Sequence, residues 1–95
     1  MAKYRLSEEA KNDLIRIHHY GVKKFGMHQA DKYFESFFEY FNRIAEQPFS
    51  FESVDYIKKG YRRCVCGVDS IFFKVNKNNI EIMAIVGKQD LNEKL

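Results

Sequence analysis

A chain of 95 residues, 45% of them hydrophobic and 31% charged, has room for one folded domain over 1–95 and excludes a second. A domain this small buries only about 60–65% of its unfolded surface. Fifteen aromatic residues, nine Phe and six Tyr with no Trp, enlarge that core, since each ring removes a large area from water. The net charge of +3 permits an acidic partner without requiring nucleic acid. The opening MAKYRLSEEA lacks the apolar core of a signal peptide, and nowhere do 18 apolar residues run together. The expected setting is therefore the cytoplasm, away from membranes.

In chain order, Lys3 to Leu6 alternates Tyr4 and Leu6 against Lys3 and Arg5, a short strand suited to a sheet edge. Ser7 is a good N-cap, and Glu8 and Glu9 favour the positive end of a helix dipole. Ala10, Leu14, Ile17 and Gly21 then recur at helical spacing, with Phe25 close to the same line, and Gly26 follows the basic pair Lys23-Lys24. This predicts a first helix over 8–24. A second helix carries Tyr33, Phe34, Phe37, Phe38, Tyr40 and Phe41, with Ala30, Ile44 and Ala45 on the same side. Such a stripe reads as core. Gln47-Pro48 stops it, and the short turn at Gly26 predicts an antiparallel helix hairpin.

Phe49 to Ile57 has no clear period but enough apolar residues to be an ordered connector. Beyond it, Tyr61 to Cys66, Ser70 to Val75 and Ile80 to Val86 are rich in β-branched and aromatic residues. Turn chemistry at Gly67-Val68-Asp69 and Asn76 to Asn79 separates them, predicting a three-stranded antiparallel meander. The fold class is thus α+β: an N-terminal strand, a helix hairpin, then the meander. In the last strand Ile80, Ile82, Ala84 and Val86 alternate with Glu81, Met83 and Ile85, which places the second set on the face away from the helices. Phe72, Met83 and Ile85 then need a cover on that face, either a loop of the chain or a partner protein, with the partner favoured.

Cys64 and Cys66 lie two apart in a predicted strand, a spacing that an extended backbone does not readily close into a disulfide. No metal-ligand set accompanies them, so they are expected to be buried free thiols. Neither a phosphate loop nor a nucleophile motif is present, and no cofactor is implied. The conspicuous polar feature is a basic turn, Lys58, Lys59, Arg62 and Arg63 around Gly60, which suits docking beside DNA or an acidic protein surface. An alternative role for either arginine is a cross-sheet pair with Glu81 or Asp90.

The order strand, helix, helix, three strands resembles the ParE toxins of bacterial type II toxin–antitoxin modules, within the wider RelE/ParE superfamily. The resemblance runs through YRLSEEAKNDL, Tyr20, Phe25-Gly26, Gln29-Ala30 to Tyr33, GYRR at 60–63, IFFKV at 71–75 and EIMAIVGKQD at 81–90. It implies a non-enzymatic toxin, without catalytic residues, cofactor or metal, that engages DNA gyrase and blocks replication. Lys58, Lys59, Arg62, Arg63, Lys88 and Asp90 are the residues expected to face gyrase or its DNA. At Lys88-Gln89-Asp90 the family commonly has Arg in the first position, and Lys keeps the charge but loses the bidentate geometry. The resemblance also implies neutralisation by a ParD-like antitoxin, whose flexible segment folds onto the toxin and whose other part contacts operator DNA. Tyr20, Tyr40, Phe72, Met83 and Ile85 are the residues expected to meet it. The alternative within the superfamily is a ribosome-dependent mRNA endoribonuclease. Attack by a 2′-hydroxyl needs a base, an acid and cations at the phosphate. The tail after Val86 has neither His nor Tyr, and His18, His19 and His28 lie in or beside the helices.

Overall fold

The computed structural model describes residues 3–77 and 79–87. The elements are β1 (Tyr4–Leu6), α1 (Glu8–Phe25), α2 (Met27–Glu46), a 3-10 turn (Pro48–Ser50), β2 (Glu52–Ser53), β3 (Tyr61–Cys66), β4 (Asp69–Val75) and β5 (Ile80–Gly87). They form a mixed five-stranded sheet in the order β1-β5-β4-β3-β2. The meander β3-β4-β5 is antiparallel, as its turns predicted, and β1 adds parallel to β5. One strand more than expected is present. β2 pairs antiparallel with β3 through Glu52 and Ser53 alone, too short and too polar to carry a period.

The helix hairpin follows from its caps and one close approach. The Ser7 hydroxyl oxygen accepts the Ala10 N–H at 3.0 Å and opens α1. Gly26, at φ 91°, closes α1 and opens α2 by itself, so the turn is a single residue in a conformation only glycine adopts freely. Further back, a Cβ on Gly21 would sit 3.2 Å from the Ala30 Cβ, and the two helix backbones approach closely there. The apolar face of α2, with Phe37, Phe41 and Ile44, packs with Leu14 and Ile17 of α1 against Ile71, Phe73, Ile80 and Ile82 of the sheet.

The far end of the β3-β4 hairpin is held by a polar contact within this layer. The Tyr33 hydroxyl lies 2.8 Å from Asp69 Oδ2 and 2.9 Å from the Cys66 carbonyl oxygen, and its one proton is shared between two acceptors. The ring roofs Gly67, where φ is 60° and a Cβ would come within 2.9 Å of the hydroxyl oxygen. Burial, then the hydrogen bond and charge of Asp69, push the Tyr33 hydroxyl pKa up.

The alternation expected in β5 breaks midway. Phe73 is opposite Ile82 while Phe72 is opposite Ala84, so Met83 is the extra residue of a β-bulge. A one-residue insertion exchanges the faces of everything beyond it. Ile80 and Ile82 face the helices, but Ala84 and Val86 face away, and Ile85 turns back into the helix-side core. Phe72 and Ile85 are both fully buried, which corrects their expected place on an uncovered face. Phe72, Ala84 and Val86 form a second apolar cluster with Val54 and Tyr61, joined by Ile57 and Met83. The cover over that face is the chain's own 54–57 segment, not a partner.

β1 is only three residues long, so it leaves the outer edge of β5 unpaired beyond Ile82, and the start of α1 takes its place. The Ser7 N–H donates to the Ile82 carbonyl at 3.0 Å, and the Ser7 hydroxyl to the Met83 carbonyl at 2.8 Å. Asp13 Oδ2 accepts the Ile85 N–H at 2.9 Å, and Arg16 reaches the Ile85 carbonyl at 3.4 Å. Asp13 is 1% exposed, and Arg16 also pairs with its Oδ1 at 3.4 Å; the burial would be costly without such donors. Asp13→Ala strips the buried Ile85 N–H of this acceptor and should lower unfolding free energy by about 1–3 kcal/mol in denaturant melts. Asp13→Asn keeps an acceptor oxygen and should lose less. An unchanged denaturation midpoint in Asp13→Ala would show that the contact contributes nothing to the fold.

Cys64 and Cys66 are free, buried thiols on the helix side of β3, as expected. Burial, reinforced by Cys66 and opposed by Arg43, pushes the Cys64 thiol up to about 11 from 9.0. Burial also raises Cys66, with the Ser36 hydrogen bond opposing it and Asp69 adding to it. A folded pKa above the unfolded one means that the unfolded chain releases protons first. Stability is therefore full below pH about 9 and falls as pH rises toward 11. Thermal melts should show this alkaline loss, smaller in a Cys64→Ala/Cys66→Ala chain than in the parent. Thiol reagents at pH 8 should label the folded chain far more slowly than the urea-unfolded one.

Candidate binding surface

The basic turn is built by backbone geometry. Gly60, at φ 84°, donates its N–H to Asp55 Oδ1 at 2.7 Å, and Val54 and Ile57 on the same segment anchor it to the sheet. With those apolar residues turned inward, Lys58 and Lys59 are left exposed. Lys58 Nζ lies 5.5 Å from the centre of the Tyr61 ring.

The two arginines do not join them in one patch. Neighbours on a strand point to opposite faces. Arg62 shares the helix-side face of β3 with Cys64 and Cys66, and its guanidinium donates to the Phe51 carbonyl at 2.7 Å while lying 4.9 Å from the Phe49 ring centre. Arg63 turns the other way, and its Nε donates to Glu52 Oε1 at 2.6 Å from directly across the β2-β3 ladder. Neither arginine pairs with Glu81. That carboxylate is held instead by Arg5 at 3.3 Å and by the Asn76 amide at 3.3 Å. Lys88 and Asp90 lie outside the described residues.

Across the sheet, register sets Arg5, Glu81, Lys74 and Tyr61 side by side on β1, β5, β4 and β3. A reading by sequence proximity missed this row, which only strand pairing assembles. Burial, then the charge of Glu81, raises the pKa of Tyr61, so its hydroxyl keeps its proton at neutral pH. Tyr61 is itself buried, and Glu81 is engaged on both oxygens. The row is well suited to holding strands together and to offering cations at its margin. His18 is placed elsewhere, with Nε2 2.8 Å from Asp31 Oδ1 between the helices. Among the described residues no three side chains gather as a metal site, and no helix is long and apolar enough to cross a membrane.

Of the residues expected to meet an antitoxin, Tyr20 is exposed, Tyr40 and Met83 are half-buried, and Phe72 and Ile85 offer no surface. Tyr40 is further covered by Arg43, 5.0 Å from its ring centre. Other apolar residues stand out in their place. Phe25 and Met27, 62% and 58% exposed, flank Gly26 at the tip of the helix hairpin beside Tyr20. Phe49 is 68% exposed at the opposite end of α2. Helical spacing set Phe25 close to the apolar line of α1, and its exposure at the hairpin tip corrects that placement. The spacing gave no warning of Met27, past the helix break, or of Phe49, which follows Pro48 in a stretch without period.

Comparison with known proteins gives one consistent result. The family model described as the ParE toxin of the type II toxin–antitoxin system parDE matches residues 4–91. Toxin ParE1 of Caulobacter vibrioides is 34% identical over 86 residues, covering 90% of this chain and 88% of that protein. A solved structure described as the chromosomal ParDE TA system from P. aeruginosa superposes with a TM-score of 0.81 at 20% identity, covering 92% of this chain and 96% of the other. That likeness supports the fold.

Proposed function

Since this chain belongs to the ParE toxin family of type II toxin–antitoxin systems, we propose that it inhibits DNA gyrase by binding and is neutralised by a ParD-like antitoxin. A target of that kind places the toxin in the cytoplasm, and contact with operator DNA then runs through the antitoxin alone. Family membership over nearly the full chain carries this reading. The geometry supports action by binding, because the cations nearest the sheet's mouth are either seated in structural contacts or displayed on a turn. Arg62 and Arg63 hold the connector and β2 in place. Lys58 and Lys59 are the charges a partner meets.

This division also decides which variants are informative. Reversing Arg62 or Arg63 disturbs the fold as well as the charge. Lys58→Glu/Lys59→Glu alters an exposed turn and should leave the melting temperature within a few degrees of the parent. It should also reduce inhibition at least tenfold in a gyrase supercoiling and cleavage assay, because a charged patch of this kind steers encounter with DNA or an acidic surface. Full inhibition by the double variant would remove the turn from the target interface. The parent toxin should block supercoiling and leave mRNA on translating ribosomes intact, whereas ribosome-dependent cleavage would establish an endoribonuclease instead. Addition of the antitoxin encoded with the toxin should restore supercoiling. If Phe25 and Met27 contribute to that contact, Phe25→Ser/Met27→Ser should weaken antitoxin binding with gyrase inhibition unchanged.

A further inference from the structure

Phe49 sits in an environment that its hydrophobicity does not explain. It follows the proline that ends α2, contributes to neither apolar cluster, and leaves 68% of its surface in water. Yet the ring is not loose: the Arg62 guanidinium lies 4.9 Å from its centre and is itself fixed by a 2.7 Å hydrogen bond to the Phe51 carbonyl. A planar cation held against one side of an exposed ring leaves the rest of the ring available for stacking. An open groove of about 420 Å³ adjoins it, lined by Glu46, Gln47, Pro48, Phe49 and Ser50.

We infer that Phe49 and Arg62 form a stacking site for an unpaired nucleobase, so that the chain itself binds single-stranded nucleic acid. Aromatic rings beside cations are the usual elements of such sites, because every base has a face to stack and every nucleotide a phosphate to neutralise. Here the two functions are spatially sorted. Glu46 in the groove repels a phosphate, which reserves that space for the uncharged base. Gln47, whose Oε1 accepts the Ser50 hydroxyl at 3.1 Å, keeps its amide NH2 to donate to a base edge. The phosphates fall on the cation side of the ring, toward the Arg62 guanidinium. A duplex cannot use the site, since its bases are already stacked and paired.

The test uses the full purified chain without gyrase, so its outcome is independent of the toxin's target. Fluorescence anisotropy would compare labelled oligothymidylate of about 12 nucleotides, within the site sizes such surfaces occupy, with a duplex of equal length. The single strand should bind more tightly, with an affinity that falls as salt rises. Phe49→Ala should weaken single-strand binding roughly 5- to 100-fold and leave duplex binding unchanged. Phe49→Leu keeps the apolar bulk but loses the ring face and should behave like alanine, while Phe49→Tyr should retain affinity. Thermal melts matching the parent would confirm that each variant folds. Failure of the parent to bind the single strand at 100 μM would overturn the inference. So would equal affinity of Phe49→Leu and the parent, or a parallel loss on strand and duplex.

Discussion

The arrangement of this fold depends on how the outer edge of β5 is closed. β5 is the longest strand, but its outer neighbour β1 supplies only three residues of pairing. Where β1 ends, Ser7, Asp13 and Arg16 offer the donors and acceptors that another strand would have presented. A buried carboxylate on a backbone N–H is a directional constraint, unlike the apolar contacts around it. Moving α1 along the sheet by one residue would strand the Ile85 amide and take that donor from the buried Asp13 carboxylate, at a cost that no repacking of methyl groups recovers. The hairpin inherits this placement. Gly26 joins α2 to α1 through one residue, and the Gly21–Ala30 approach sets their separation, so Phe37 and Phe41 reach the sheet in one register only.

The bulge at Met83 is the second constraint, because it decides what the far face of the sheet requires. Without the extra residue Ile85 would stand on that face and Ala84 and Val86 on the other. With it, the far face presents Phe72 flanked by smaller Ala84 and Val86, a surface that Val54 and Ile57 can cover. Covering that surface draws the 54–60 segment onto the sheet and leaves its lysines outward. The exposure of Lys58 and Lys59 is therefore a consequence of apolar packing underneath them.

Much of this was legible in the sequence where a local rule applied. Ser7, Gly26 and Pro48 mark helix ends through chemistry that acts within four residues, and the strand limits of Tyr61–Cys66 follow from composition and turns. The bulge was not, since nothing in IEIMAIV distinguishes an inserted Met83 from a paired one; only the partner strand does. β2 escaped for the same reason, being two polar residues defined by their opposite numbers Arg62 and Arg63. The split between those arginines was different. Strict alternation in β3 already places them on opposite faces, and grouping them by adjacency overrode a rule that the sequence carried.

The geometry also sets what a single partner can cover. Phe25 and Met27 lie at one end of α2 and Phe49 just beyond the other, and α2 has 20 residues. At 1.5 Å per residue its ends are about 30 Å apart. A contact of standard size takes roughly 800 Å² from each partner, a patch about as wide as that separation, so it reaches both ends only if it is centred between them. The surface between them offers charged and polar residues such as Lys32, Glu35 and Glu39 rather than a continuous apolar strip. A rigid globular partner seated at the hairpin tip thus leaves the Phe49–Arg62 corner open. An extended chain laid along α2 reaches both, because its contacts need not be contiguous and its length, not its width, sets its span. Whether a partner covers the Phe49–Arg62 corner or leaves it exposed is therefore governed by the partner's shape as much as by its affinity.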